Sequence, residues 1–323
     1  MTDAAHSLKL VFCGTPQFAV PTLQALLAAE HQIALVVSQP DRPVGRDQQL
    51  TAPPVKKAAL AAGIPAVQPE KIRNNQEFRA QLEAISPDAI VVVAYGRIIP
   101  PWILALPRLG CINLHASLLP KYRGAAPIQW AIAMGDAFTG NTTMHLEEGL
   151  DTGPILLQQT HEIGTEQTAT ELFPVLAAAG APLVIETLAG LADGTIQPQP
   201  QKHEGATYAP LLHRDDGRMD FTARSATELH NRWRGFQPWP GAFTALHGKK
   251  LIVHRMSAMH ESETEWLGSA APGLVRIENH RLFVACAGKT WLEFLEVQLE
   301  GKKRLDAAEF LRGNPLAPDA RLG

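Results

Sequence analysis

The sequence predicts an α/β protein: a Rossmann-like, doubly wound, mostly parallel sheet followed by a small C-terminal β-barrel. Three observations carry this. Leu8 to Phe12 is an apolar run ending in Cys13-Gly14-Thr15-Pro16; Leu23, Leu26 and Leu27 follow at helical spacing, and Ile33 to Val37 is β-rich. Ala89 to Tyr95 is nearly continuous apolar, β-branched sequence, as expected of a central parallel strand covered on both faces. Past residue 210, short strand-like runs alternate with turn residues.

At 323 residues the chain is long enough for two domains. We expect a first domain over residues 1–195, a linker over 196–210 and a β-domain over 211–323. Hydrophobic content of 46% and charged content of 19% are those of a soluble globular protein. No run of 18 apolar residues occurs, so no membrane partner is expected. The N-terminus lacks a basic stretch followed by a long apolar one, so secretion is not expected. Cys13, Cys111 and Cys286 are odd in number and far apart, which fits a reducing cytoplasm. Net charge is −3, with the second domain slightly the more basic, a hint of a polyanion-facing surface.

In chain order, the turn after the first strand lacks GxGxxG, which disfavours a dinucleotide cofactor. Gly14 there fits close packing or approach to a ligand. Residues 38–57, SQPDRPVGRDQQLTAPPVKK, are rich in proline and charge and have no periodicity. Arg42, Arg46, Lys56 and Lys57 suit either a solvated loop or one that meets phosphates. Gly96 follows Tyr95 at the carboxyl end of the central strand, where open α/β sheets bind ligands.

Cys111 to Gly124, CINLHASLLPKYRG, is the most distinctive stretch. Asn113 and His115 sit two apart on a strand, so both side chains face one space. They pair a hydrogen-bond donor with a proton carrier, or they cap a strand with a surface histidine; spacing alone leaves both open. Ser117-Leu118-Leu119-Pro120 makes a stiff turn, followed by Lys121 and Arg123. Ala125 to Met134 reads as a helix and Thr139 to Leu146 as a strand. Asp151 then lies in a Gly-rich turn, GLDTG, and is a turn-former or a group curling back to a cleft. A helix over about 168–192 closes the domain.

Residues 197–209, proline-containing and unpatterned, suit a linker. A helix over 228–236 and five short strands follow, consistent with a barrel of the oligonucleotide-binding type. Lys302, Lys303 and Arg304 form the densest basic cluster, either a solvated turn or a phosphate contact. The twelve histidines show no ligand spacing, so no metal is expected.

With these residues in view, the chain resembles the folate-dependent formyltransferases, in the branch that acts on methionyl initiator tRNA, over nearly its whole length. The matching stretches are FCGTPQFA, QPDRPVGR, VVVAYGRIIP, GCINLHASLLPKYRGAAPIQ, GLDTGPIL and QPWPGAF. The resemblance implies transfer of a formyl group from 10-formyltetrahydrofolate to the amino group of methionine on initiator tRNA. An amino-sugar nucleotide or other small amine is the alternative acceptor. Carried over residue by residue, Asn113, His115 and Asp151 match the family's catalytic trio. Ser117, Leu118, Leu119 and Pro120 match its folate-contacting turn, beside which we place Tyr95 and Gly96. Arg46 falls in its tRNA-probing loop; Arg42, Lys302, Lys303 and Arg304 are assigned to tRNA with it. The family's glycine- and lysine-rich segment is replaced here by Asp47-Gln48-Gln49, which removes positive charge from that loop. A monomer in the cytoplasm is expected.

The chemistry these residues can support is amine attack on a carbonyl through a tetrahedral oxyanion. The Asn113 amide can donate to that oxyanion. His115 can carry a proton, and Asp151 can either orient the imidazole or accept the amine proton.

Overall fold

The structure, a computed structural model, describes residues 7–45, 47–260 and 264–323. It divides into two compact units, one made of residues up to Pro127 with 138–162 and 171–210, the other of 128–137, 163–170 and 211–323.

In the first unit the strands are β1 (Lys9–Gly14), β2 (Gln32–Val37), β3 (Arg42–Val44), β4 (Gln49–Thr51), β5 (Ala66–Val67), β6 (Ala89–Val93), β7 (Cys111–His115), β8 (Arg123–Gly124), β9 (Phe138–His145), β10 (Ile155–Glu162) and β11 (Tyr208–Ala209). The helices are α1 (Val20–Ala28), α2 (Pro54–Ala61), α3 (Gln76–Ile85), α4 (Pro101–Leu104), α5 (Pro127–Ala133, grouped mainly with the second unit) and α6 (Ala169–Ala192). Seven strands form one sheet in the order β10-β9-β7-β6-β1-β2-β5. The run from β5 to β7 is parallel, and β9 and β10 complete it antiparallel. The mostly parallel sheet expected from the sequence is therefore present.

Its strands are apolar throughout because both faces are covered. Leu10, Phe12, Val91, Val93, Ile112 and Leu114 pack against α1, α2 and α6. The alternate residues Val11, Cys13, Ile90, Val92 and Cys111 pack against α3 and α4. By length and composition α6 would suffice to cross a membrane, but half of that stretch is buried inside the protein. Gly180 is where α6 comes closest to the sheet: a Cβ there would lie 2.6 Å from Leu114 Cδ2. Asn141 of β9 reaches the same helix, its Nδ2 donating to the Leu176 carbonyl at 2.9 Å.

Two segments expected to be irregular are ordered locally. Within 38–57, β3 and β4 pair as an antiparallel hairpin, and Lys56 bonds Asp41 and Gln68. The 196–210 connection is bound into the first unit. Ile155 and Gln199 exchange backbone hydrogen bonds, both at 2.8 Å, and β11 pairs in parallel with β8. The 38–57 hairpin lacks periodicity because its strands are only three residues long, and the 196–210 segment because its order comes from pairing with other parts of the chain.

In the second unit β12 (Ala242–Leu246), β13 (Lys249–Ala258), β14 (Val275–Glu278), β15 (Arg281–Ala285), β16 (Trp291–Leu299) and β17 (Leu305–Asp306) form one antiparallel sheet. Its order is β12-β13-β16-β15-β14, with β17 beside β16. Register shifts at Arg255 let β13 bend. Helices α7 (Ala226–Gly235) and α8 (Ala307–Gly313) supply Leu229 and Phe310 to a core with Leu251, Val253, Phe294 and Val297. Ser225 and Glu228 close a capping box at the start of α7.

Cys13, Cys111 and Cys286 are free and buried. Burial pushes all three thiols up, Cys111 and Cys286 to about 12.

Candidate active site

The alternation of β7 decides which way its polar residues point. Cys111 packs toward α4, and Asn113 and His115 follow on the same face, at the carboxyl end of the sheet. Both are buried, 9% and 6% exposed. Asn113 lies between Val92 of β6 and Met144 of β9, and His115 beside Thr142. Among the described residues no hydrogen bond engages the Asn113 amide, which leaves its N–H groups for a ligand.

One contact orients the His115 ring. Nε2 lies 2.9 Å from the Tyr122 carbonyl. A carbonyl only accepts, so Nε2 carries a hydrogen, and in the neutral ring Nδ1 is the free base. Nδ1 faces Asp151 Oδ2 at 3.8 Å. Asp151 stands in the turn between β9 and β10 with φ +51°, and its Oδ2 accepts the Gly124 N–H at 2.8 Å. Asp and Tyr seldom adopt the left-handed region, yet Asp151 and Tyr122 (φ +61°) both do so here. Asn113, His115 and Asp151, 38 positions apart at the extremes in sequence, thus converge at one end of the sheet.

The Ser117–Pro120 turn is stiffened from both neighbouring strands. Ser117 Oγ donates to the Lys121 carbonyl at 2.7 Å. Thr142 Oγ1 donates to the Ser117 carbonyl at 2.6 Å and accepts the Leu119 N–H at 3.2 Å. Gln158 Nε2 donates to the Leu119 carbonyl at 3.0 Å. Leu118 and Pro120 are the half-buried members. Beyond the end of β6, the Tyr95 carbonyl accepts from Thr15 Oγ1 and Gln39 Nε2, both at 3.1 Å. The Tyr95 hydroxyl is buried without a partner among the described residues, and burial raises its pKa. Gly96 follows with φ +79°.

The basic residues assigned to tRNA are divided between the two units. Arg42 is exposed on β3 of the first unit. Arg46 lies outside the described residues. Lys302, Lys303 and Arg304 are exposed in the turn before β17 of the second unit. Arg304 is ion-paired with Glu296, and Lys303 Nζ lies 3.6 Å from Glu309.

Several residues that shape the site carry no sequence signal. Thr142 and Gln158 look like ordinary strand residues. Arg123, just past the Ser117–Pro120 turn, is buried, 2% exposed. Gln201 comes from the unpatterned 197–209 segment. Only the Gly in Arg123-Gly124 marks a close approach: a Cβ on Gly124 would sit 2.6 Å from the Ala209 carbonyl oxygen. Among the described residues no group of three or more His, Cys, Asp or Glu could hold a metal.

The sequence matches the family description "Formyl transferase" over residues 8–188 and "Formyl transferase, C-terminal domain" over residues 211–315. It is 66% identical to the methionyl-tRNA formyltransferase of Acidobacterium capsulatum, covering 98% of this chain and 100% of that one. It is 57% identical to the enzyme of the same name from Koribacter versatilis, covering 94% of this chain and 95% of that one. Among solved structures, the sugar 3N-formyl transferase WlaRD shares the fold at a TM-score of 0.64 and 18% identity, over 92% of this chain and 100% of that one.

Proposed function

The chain belongs to the formyl transferase family, and from that premise we propose that it transfers the formyl group of 10-formyltetrahydrofolate to the α-amino group of methionyl initiator tRNA. The likeness to methionyl-tRNA formyltransferases runs through both units, and this is the observation that carries the reading. We further propose that the protein acts as a monomer in the cytoplasm.

The geometry supports the following roles. The amine nitrogen attacks the formyl carbon, whose oxygen takes up negative charge. Asn113 is the donor for that oxygen, because its amide is not engaged elsewhere among the described residues. His115 keeps Nε2–H on the Tyr122 carbonyl and offers Nδ1 as the proton acceptor. Asp151, held by the Gly124 N–H, faces the Nδ1 atom at which that proton arrives. Collapse breaks the bond from carbon to the folate nitrogen, and the proton removed from the amine ends on that nitrogen.

Folate recognition falls to the rigid Ser117–Pro120 turn, with Leu118 and Pro120 as its apolar contacts, and to Tyr95 and Gly96. The unpartnered Tyr95 hydroxyl is a polar group suited to such a ligand. Arg42, Arg46, Lys302, Lys303 and Arg304 contribute phosphate contacts to the tRNA.

The test is acceptor choice. With 10-formyltetrahydrofolate as donor, the protein is offered methionyl initiator tRNA, free methionine and an amino-sugar nucleotide in separate reactions. Formyl transfer to the charged tRNA alone is expected; transfer to the amino-sugar nucleotide instead overturns the reading.

A further inference from the structure

Among the groups given no part in the chemistry, one buried amide ties the surroundings of the trio together. Gln201 is 8% exposed. Its Nε2 donates to the carbonyls of Asp151 and Gly153, both at 2.8 Å. Its Oε1 accepts from Arg123 Nε at 3.1 Å and Nη2 at 2.7 Å. The orientation of the amide is determined by these neighbours. Turned over, it would set its oxygen against two carbonyls and its NH2 against a cation, and lose all four bonds.

Arg123 explains why such a residue is needed. Its guanidinium is buried, and among the described residues Gln201 Oε1 is its hydrogen-bond acceptor. A buried cation is tolerated only where it is hydrogen-bonded. Arg123 is also flanked by the two backbone groups that set the trio. The preceding Tyr122 carbonyl orients His115, and the following Gly124 N–H holds Asp151. The same chain segment adds further ties. Thr207 Oγ1 accepts the Tyr122 N–H at 2.9 Å, and the Thr207 carbonyl accepts the Arg123 N–H at 2.9 Å. Both left-handed residues, Tyr122 and Asp151, are therefore held from this segment, as a sparsely populated backbone conformation requires.

We propose that Gln201 is a positioning residue for formyl transfer: bound to Arg123 on one side and to the Asp151 and Gly153 carbonyls on the other, it sets the separation of Asp151 from His115. This rests on the function proposed above. Gln201 touches no reacting atom; it acts through the Asp151 turn.

The test is Gln201→Glu in the full chain. The carboxylate keeps an acceptor for Arg123 but has no donor for the two carbonyls. The expected result has three parts. The Gly124 amide hydrogen exchanges faster. kcat falls about tenfold to a hundredfold, as a displacement of order 1 Å costs. KM for both substrates stays near wild type. Gln201→Met, which also strips Arg123 of its acceptor, lowers the thermal midpoint as well. Unchanged kcat in Gln201→Glu overturns the proposal, and so does a kcat loss that only tracks the unfolded fraction. Gly124 exchange is read in the free protein. If the wild type fails to formylate the charged tRNA, the functional reading fails, while unaccelerated exchange in Gln201→Glu overturns the positioning role whatever the reaction.

Discussion

Nδ1 of His115 lies 3.8 Å from Oδ2 of Asp151, beyond hydrogen-bonding distance, while Nε2 of the same ring is fixed at 2.9 Å from the Tyr122 carbonyl. The ring is oriented from one side and open on the other. A proton can enter or leave at Nδ1 without breaking the contact that orients it.

Removing the open-side chemistry should therefore stop turnover without emptying the cleft. His115→Ala is expected to lose about 10²–10⁴ in rate, and Asn113→Ala about 3–4 kcal/mol of transition-state stabilisation. Both should still bind folate. Single-turnover formylation and equilibrium folate binding check this; a near-wild-type rate in either variant would falsify its role.

Gly124 has no room for a side chain. Its φ is +124°, and a Cβ would meet the Ala209 carbonyl oxygen at 2.6 Å. Gly124→Ala should separate β8 from β11 and shift the N–H that holds Asp151. The expected cost is about 1–3 kcal/mol of stability with at least a tenfold loss of kcat, read by urea denaturation and steady-state kinetics. Unaltered stability would mean that the β8–β11 pair contributes little.

In the second unit, the Ser225–Glu228 box supplies a test by pH. The Ser225 backbone N–H, and then its hydroxyl, hold the Glu228 carboxyl below the ordinary glutamate range. A lowered carboxyl pKa stabilises the fold above the unfolded value, about 4.3. That contribution disappears as pH falls through the folded value. Ser225→Ala should cost about 1 kcal/mol at pH 7, and Glu228→Gln should flatten the loss of stability on acidification below about pH 5. Urea midpoints across that range measure both, and a Glu228→Gln profile parallel to wild type would count against the box.

The basic residues should differ in their effect on tRNA. Arg304 is already paired with Glu296, whereas Arg42 and Lys302 form no ion pair among the described residues. Arg42→Ala and Lys302→Ala should raise the KM for charged tRNA and each reduce its salt dependence by about one unit of log–log slope. Arg304→Ala should do less. A KM independent of salt would remove phosphate contacts from the account.

What the sequence disclosed, and what it concealed, follows from where the order originates. β6 and β7 were legible because burial on both faces forces continuous apolar sequence, and i, i+2 spacing put Asn113 and His115 on one face. α6 and α7 were legible as helices, within a few residues of their ends. The β3–β4 hairpin was not, since its strands are only three residues long, and β8 and β11 were not, since each is ordered by a partner distant in sequence. α8 was missed too, although Asp306 caps it by accepting the Glu309 N–H at 2.7 Å. Gln201 is the clearest case. Its side chain bonds Arg123, Asp151 and Gly153, and no local pattern around residue 201 encodes any of these contacts.

The buried thiols give each unit its own internal clock. Alkylation requires a thiolate that a reagent can reach, and burial denies both to Cys13 and Cys111 in the core of the first unit and to Cys286 in that of the second. Each labelling event is therefore timed by opening of the core that encloses it. Mass spectrometry of the unmodified chain, resolved by peptide, would date the two openings separately. Comparing folate-loaded with tRNA-loaded protein would then show which core each ligand closes.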